Sequence, residues 1–431
     1  MRALALAAAL GVGGCATMPP PPVDTLVEPA DVTTGTWRKV DAATGRLAEV
    51  AELEELARAF PDSGSVQVRL LSAYVRERRG DKAHDLVEAI TSRGYRFSQA
   101  GEAQLRQFFA DQGSNKLFML SIMPNEVRVG SAVEATVPAS VLLPESVLRE
   151  RQTGRLYASS IVSRGLFRQD GKGGWEEVDL GATGSLSGMV QAPDGTIWIA
   201  SGAYEPTPDP DTAYRGLIGY DPRSGKVSNK VAPAGATPSD IAIGPDGTLF
   251  AADPLMGAIY DSRPNTGHLR MIVVPGTFRS PQGMAVSGNG RFLYVSDYSY
   301  GLAVVDLRTG AIDRLPAPNS PFVDGTDGLW FHGGELIAIQ NGARPMRIVA
   351  HRLAADGRSI VSSRVLEQAN PDWTEPGAGS IAGDSLLYIG TGQWDRFGVG
   401  GTAVEGKPPL PTEVRRLGVA KKGMAVPKNP G

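Results

Sequence analysis

Two periods of hydrophobic and polar residues divide the chain. From about residue 41 to 112, Leu47, Val50, Leu53, Leu56 and Phe60 recur at steps of three and four, which puts them on one helical face. Pro61-Asp62-Ser63-Gly64 interrupts that face. Val66, Val68, Leu70, Leu71, Ala73, Tyr74 and Val75 predict a second helix closed by Gly80. A third is expected to be capped by Asp81 and to carry Ala83, Leu86, Val87 and Ile90, and a fourth runs from about Ser98 to Phe109. From Leu142 onward the period becomes two. Short apolar strands alternate with turns such as Pro193-Asp194-Gly195, Pro245-Asp246-Gly247 and Gly288-Asn289-Gly290, whose glycines supply the positive φ of a tight hairpin.

Within the strand region one phrase recurs six times: a polar or small pair, an apolar pair, a turn, then a second apolar strand. Glu145-Ser146-Val147-Leu148 with Leu156-Tyr157-Ala158-Ser159 is the first copy. Later copies begin at Ser187, Ser239, Gln282, Asp327 and Gly379, at spacings of 42, 52, 43, 45 and 52 residues. A unit of this size with several strands is a propeller blade, and blades bury a continuous core when they stack around an axis. The long spacings hold insertions at Tyr204 to Tyr214 and Gly342 to Arg347. The expected fold is mainly β: a six-bladed β-propeller preceded by a small α-helical domain. A pair of β-sandwiches is the alternative, and it gives no reason for six even copies.

Composition narrows the function. Gly (53) and Pro (32) suit many short strands and turns. Lys and Arg number 43 against 46 Asp and Glu, a balance without the basic footprint of a nucleic-acid binder. One cysteine, Cys15, excludes an internal disulfide framework and a cysteine zinc site. Arg2, the apolar run Ala3 to Val12 and Gly13-Gly14-Cys15 read as a secretory signal too short to span a bilayer. Val12-Gly13-Gly14-Cys15 resembles the bacterial lipobox, which implies lipidation of Cys15 and attachment of the body to a membrane surface. Ala16 at the next position fits sorting to the outer membrane, facing the periplasm. The alternative is an ordinary signal with a chance cysteine. The expected organisation is a signal (1–14), a Pro-rich tether (15–40), the helical domain (41–112), a connector (113–141), the propeller (142–420) and a tail (421–431).

In a propeller the innermost strand of each blade borders the central channel, so residues at equivalent repeat positions converge. Here that ring reads Glu145, Ser187, Ser239, Gln282, Asp327 and Gly379. Two carboxylates and an amide carbonyl are hard oxygen donors, which suit Ca²⁺ or Mg²⁺ rather than Zn²⁺. Two carboxylates facing one channel call for a cation or a shared proton between them. The plainer reading is that each polar residue caps a strand end or holds channel water. Asp253 and Asp297, at the ends of second strands, read as Asx-turn residues, and His332 as a hairpin-turn histidine. Tyr204, Tyr214, Trp373, Trp394 and Phe397, in or near long loops, either line a pocket or cover blade edges.

The repeat region resembles the gluconolactonase/regucalcin family of six-bladed propellers, related to the paraoxonase and strictosidine-synthase-like propellers. Leu143-Pro144-Glu145-Ser146-Val147, Thr153-Gly154-Arg155-Leu156-Tyr157, Thr237-Pro238-Ser239-Asp240, Ser280-Pro281-Gln282-Gly283-Met284 and Thr326-Asp327-Gly328-Leu329-Trp330 carry the resemblance, over roughly residues 142 to 419. It implies one divalent cation, calcium in the first instance, held by Glu145, Gln282 and Asp327. It implies Ser239 as a substrate contact; Ser187, its neighbour in the ring, is expected to be another, and Asp327 is the expected catalytic residue that activates water. Two departures stand out: Gln282 and Ser239 each occupy a position where the family has Asn. The helical region resembles one and a half tetratricopeptide units, through Phe60-Pro61-Asp62, Tyr74, Gly80-Asp81, Ala83 and Leu86. That implies either a docking platform for a protein partner or a cap on the propeller, and in both cases an appendage that the propeller can fold without.

Two functions follow from these residues. One is a membrane-anchored, divalent-cation-dependent hydrolase of lactones or related esters. The other is a non-catalytic propeller lipoprotein that binds a small ligand or a protein partner. The two carboxylates favour the first, and Gln282 and Ser239 the second.

Overall fold

The computed structural model describes residues 35–113 and 126–420. The signal sequence and Cys15 lie outside these residues. Four helices come first: α1 (Val50–Ala59), α2 (Gly64–Arg76), α3 (Gly80–Ser92) and α4 (Gln99–Asp111). Their boundaries follow the local chemistry. Ser63 and Ser98 cap α2 and α4 by accepting the amides of Val66 and Gly101, each at 3.1 Å. The expected cap of α3 is corrected: Arg79 occupies the N-cap position without a side-chain bond, and Asp81 sits in the first turn. There its charge favours the helix dipole instead. None of the helices among the described residues is long and apolar enough to cross a membrane.

Among the described residues, twenty-four strands then form six four-stranded antiparallel sheets, a six-bladed propeller. Blade one is β2 (Pro144–Arg149), β3 (Leu156–Ser160), β4 (Leu166–Gln169) and β5 (Trp175–Val178). Blade two is β6 (Ser185–Gln191), β7 (Ile197–Gly202), β8 (Gly216–Tyr220) and β9 (Val227–Val231). Blade three is β10 (Ile241–Ile243), β11 (Leu249–Asp253), β12 (Ala258–Ser262) and β13 (Arg270–Val273). Blade four is β14 (Pro281–Val286), β15 (Phe292–Asp297), β16 (Gly301–Asp306) and β17 (Ile312–Arg314). Blade five is β18 (Gly328–His332), β19 (Glu335–Gln340), β20 (Arg347–Leu353) and β21 (Ile360–Gln368). Blade six takes β22 (Gly379–Ala382), β23 (Ser385–Ile389) and β24 (Thr412–Gly418) from the end of the chain.

The fourth strand of blade six is β1 (Ser131–Val137), from the stretch read as a connector. It pairs with β24, Ser131 opposite Leu417 and Val137 opposite Thr412, so the ring closes by joining the two ends of the β region. Closure ties the start of the β region to its end and completes blade six as a four-stranded sheet like the other five. The second strands are the most buried. In β11, β15 and β19 every residue is buried, because a sheet covered on both faces reads as continuous burial rather than alternation.

The helical region packs as part of the propeller. One continuous core joins Phe60, Leu56, Val66 and Phe109 of the helices to Phe278, Met284, Val295 and Tyr300 of blades three and four. Trp37 anchors the chain before the helices, its ring 5.1 Å from Phe278 and its indole N–H bonded to Thr277 O at 3.0 Å. This shared core is the packing that a helical cap on blades three and four requires.

Candidate functional site

The innermost strands β2, β6, β10, β14, β18 and β22 lie side by side around the channel. A cavity of about 420 Å³ opens at one end of it, and Glu145, Ser187, Ser239, Gln282 and Asp327 all line its wall. Five of the six expected ring residues therefore converge. The sixth is corrected by register. Asp327 N donates to Ile339 O at 2.9 Å and Ser239 N to Ala252 O at 2.9 Å, tying ring residues to the second strand of their blades. The matching bond in blade six is from Gly377 N to Ile389 O, at 2.8 Å. Gly377 lines the cavity, whereas Gly379 is paired with Tyr388 inside the sheet.

Bonds between blades fix the ring. Gly188 N reaches Ser239 O at 3.0 Å and Gly283 N reaches Asp327 O at 2.8 Å. The Ser187 hydroxyl donates to Ser239 O at 2.5 Å and lies 3.2 Å from Tyr204 Oη. Gly188 has to be glycine: a Cβ there would lie 2.5 Å from Asp240 Oδ1.

Charge is concentrated on four carboxyls. Glu145 is half-buried, and Trp394 Nε1 donates to its Oε2 at 2.8 Å. Burial, then the charges of Asp327, Glu375 and Asp240, push its pKa well above the usual carboxylate range, against the Trp394 bond. Burial pushes Asp327 up to about 6, opposed by a hydrogen bond from the Asn341 side chain. Glu375, on the loop between β21 and β22, is raised to about 8 by burial and then by Asp327 and Asp395. Asp240, directly after the ring residue Ser239, is raised to about 7 by burial, although the amides of Ile241 and Met284 oppose the shift. No Arg, Lys or His among the described residues stands among the neighbours that set these four charge states.

Among the described residues, no three Asp, Glu, His or Cys side chains are grouped closely enough to hold a metal ion. A cation at the ring would need the amide of Gln282 beside Glu145 and Asp327. The Gln282 Nε2 donates to Ser280 Oγ at 3.1 Å, an orientation that leaves Oε1 for the cavity.

Other candidates fall outside the chemistry. Asp253 Oδ2 accepts the amide of Thr237 at 2.7 Å, and its Oδ1 accepts those of Leu255 and Met256. Asp297 accepts the amides of Arg279, Ser280, Ser299 and Tyr300. Both are turn residues. His332 pairs with Asp384 at 3.1 Å on a hairpin. His351 is sealed inside blade five, where its Nδ1 meets Ser363 Oγ at 2.7 Å.

Sequence reasoning missed Asp240, Glu375 and Asn341. Asp240 carried a signal, since it is the one charged residue at the step after a ring position, where Ser146, Gly188, Gly283 and Gly328 are small. Glu375 and Asn341 lie in loops of unequal length and had none.

No family model and no curated protein matches the chain. Solved structures do. A gluconolactonase from Xanthomonas campestris is 14% identical, with 68% of this chain and 99% of that chain covered and a TM-score of 0.44. The calcium-binding protein regucalcin from Agrobacterium tumefaciens is 18% identical over 66% and 95%, with a TM-score of 0.44. A PQQ-bound aldose sugar dehydrogenase from Streptomyces coelicolor is 17% identical over 68% and 100%, with a TM-score of 0.43. The likeness is one of overall architecture, and it assigns no residue a role.

Proposed function

We propose that this cavity takes a divalent cation and a lactone or related ester, and that the chain hydrolyses the ester with Asp327 as general base. The observation that carries the reading is the Glu145–Asp327 pair: two half-buried carboxyls lining one open cavity, with the charge of Asp327 raising the proton affinity of Glu145. The donor set fits a hard cation, since the Glu145 and Asp327 carboxylates and the Gln282 amide oxygen offer oxygen only. A bound divalent cation would supply Lewis-acid polarisation of the ester carbonyl. The protein's residues do the remainder. Trp394 fixes one oxygen of Glu145 and leaves the other to the cavity. Asn341 orients Asp327 as the base that takes a proton from water. Ser187 is committed to Ser239 O, so it orients the rim more than it binds substrate. Lipidation at Cys15, holding the cavity at the outer membrane on the periplasmic side, belongs to the same proposal and rests on Val12-Gly13-Gly14-Cys15.

A second reading has its own support. Ser239 offers a hydroxyl where a substrate amide contact is expected, and among the described residues no three acidic side chains close on a metal. That favours a cation-free binder of a small ligand. The experiment is calorimetric melting with millimolar Ca²⁺, Mg²⁺ or Mn²⁺, together with pH-stat hydrolysis of a lactone panel. Saturation at a hundred times the dissociation constant adds about 2.7 kcal/mol of stability. Ca²⁺ should raise the melting temperature by several degrees, Glu145→Gln should abolish the rise, and Asp327→Asn should cut hydrolysis by about a hundredfold or more. A melting shift without hydrolysis leaves a cation-dependent binder. With neither, the cation reading falls.

A further inference from the structure

The cavity has two unlike sides. Its polar side comes from blades four and five, with Arg279, Gln282, Tyr298, Asp327 and Asn341. Blades one, two and six bring Ile161, Tyr204, Pro206, Trp394 and Phe397, an apolar wall that shares these blades with Glu145, Ser187, Glu205, Glu375 and Asp395. That wall continues into a small core of its own, in which Phe397 packs with Leu143, Ile161 and Val162.

Two insertions build it. The loop between β7 and β8 supplies Tyr204 and Pro206, and the loop between β23 and β24 supplies Trp394 and Phe397. They brace one another across blade one. Gly400 N donates to Glu205 O at 2.9 Å, and Arg164 Nη1 donates to Pro208 O at 3.0 Å. At Gly401, φ is +75° and an added Cβ would lie 2.9 Å from Val162 and 3.0 Å from Pro208, so the loops meet without room to spare. The wall is formed before any ligand arrives.

Its polar atoms are already engaged. The Trp394 indole N–H is given to Glu145, and the Tyr204 hydroxyl donates to Pro238 O with Ser187 Oγ at 3.2 Å. Ile161, Pro206 and Phe397 bring no side-chain donor or acceptor. A polyhydroxylated ring placed here would lose its bonds to water and gain few in return, whereas an alkyl group would lose none. An anionic ligand would meet Asp327, ionised near neutral pH, and among the described lining residues Arg279 is the one base that could offset it.

We propose that the cavity selects an uncharged ester or lactone with an aliphatic group remote from its carbonyl, and that the Ile161–Tyr204–Trp394–Phe397 wall seats that group. This rests on the lactone reading above and narrows it away from sugar lactones.

The test uses lactams, which mimic lactones and resist hydrolysis, titrated calorimetrically into the full chain with and without Ca²⁺. The probes are γ-lactams with alkyl substituents from methyl to hexyl, and the lactam of a hexonic acid. Affinity should rise about fourfold per methylene until the cavity is filled. The polyhydroxylated lactam should bind more weakly than the butyl one. Phe397→Ser should reduce the gain per methylene to less than twofold, and Ile161→Ser serves the same purpose if the first variant does not fold. Affinity independent of chain length, tighter binding of the polyhydroxylated lactam, or no binding across the series overturns the inference. A chain-length dependence in a protein that hydrolyses no lactone keeps the selectivity and removes the hydrolase.

Discussion

Asp324, in the loop that leads into Asp327, accepts the backbone N–H of Gly64 at 2.7 Å across 260 residues of sequence. Its other oxygen takes the amide and the hydroxyl of Ser65, at 2.8 and 2.6 Å. A blade-five carboxylate thus caps α2 from outside the helix and sets a negative charge at its positive end. Ser63 adds a bond to Ser299 O at 2.7 Å, and Ser299 lines the cavity. The helical region therefore holds two loops of the site's polar side.

Asp324→Asn keeps the shape but sets an amide N–H₂ against the donors of one of its two oxygens, either Gly64 N or the amide and hydroxyl of Ser65. Urea denaturation should show a loss of about 2 kcal/mol, the cost of breaking a buried capping network. A shift below about 0.5 kcal/mol would mean that the helix start is held by Ser63 alone.

Deleting the helices should be worse. A chain beginning at residue 126 would uncover Phe278, Tyr300 and Phe322, and it should lose its single cooperative melt and aggregate. A soluble, cooperatively melting fragment with an all-β circular dichroism spectrum would restore the view of the helices as an appendage.

Glu375 binds its proton more tightly in the folded chain, at about 8 against an ordinary 4.5. A carboxyl raised in this way opposes folding once ionised, so its effect is absent at low pH and grows as pH rises from about 4.5 to 8. Glu375→Gln should therefore match wild type near pH 4. In EDTA it should exceed wild type by about 4 kcal/mol at pH 8, where each pKa unit of the shift is worth about 1.4 kcal/mol. A constant offset across that range would show that Glu375 does not titrate there.

His351 has the opposite sign. Burial, with Arg347 beside it, pushes its pKa down to about 3, while its Nε2 has no hydrogen-bond partner. Below about pH 6.5 the unfolded chain takes up a proton that the folded chain refuses, so stability falls as pH drops from 6.5 toward 3. The slope should approach about 1.4 kcal/mol per pH unit. His351→Gln should flatten that limb, read as the difference from wild type in melts between pH 4 and 7.

Cys15→Ser should move the protein from the membrane pellet to the soluble periplasmic fraction. An unmodified wild-type N-terminus, read by mass spectrometry, would end the lipoprotein proposal.

The sequence by itself determined the blades. Each blade's first two strands and tight turn are written within about fifteen residues, where alternation of apolar positions and the positive φ of Gly195, Gly247 and Gly290 act locally. Equal repeat position was enough to bring Glu145, Gln282 and Asp327 to one cavity, because strands that do the same job in each blade end at the same rim. The tertiary structure alone decided what lies between distant segments. That β1 completes blade six depends on pairing Ser131 with Leu417, and nothing in residues 131–137 names that partner. The bond from Trp394 to Glu145, the charge of Glu375 beside Asp327 and the grip of Asp324 on α2 join loops and blades whose lengths follow no repeat. Such contacts exist only in the folded ring, and its burial sets the charge states on which the proposed chemistry rests.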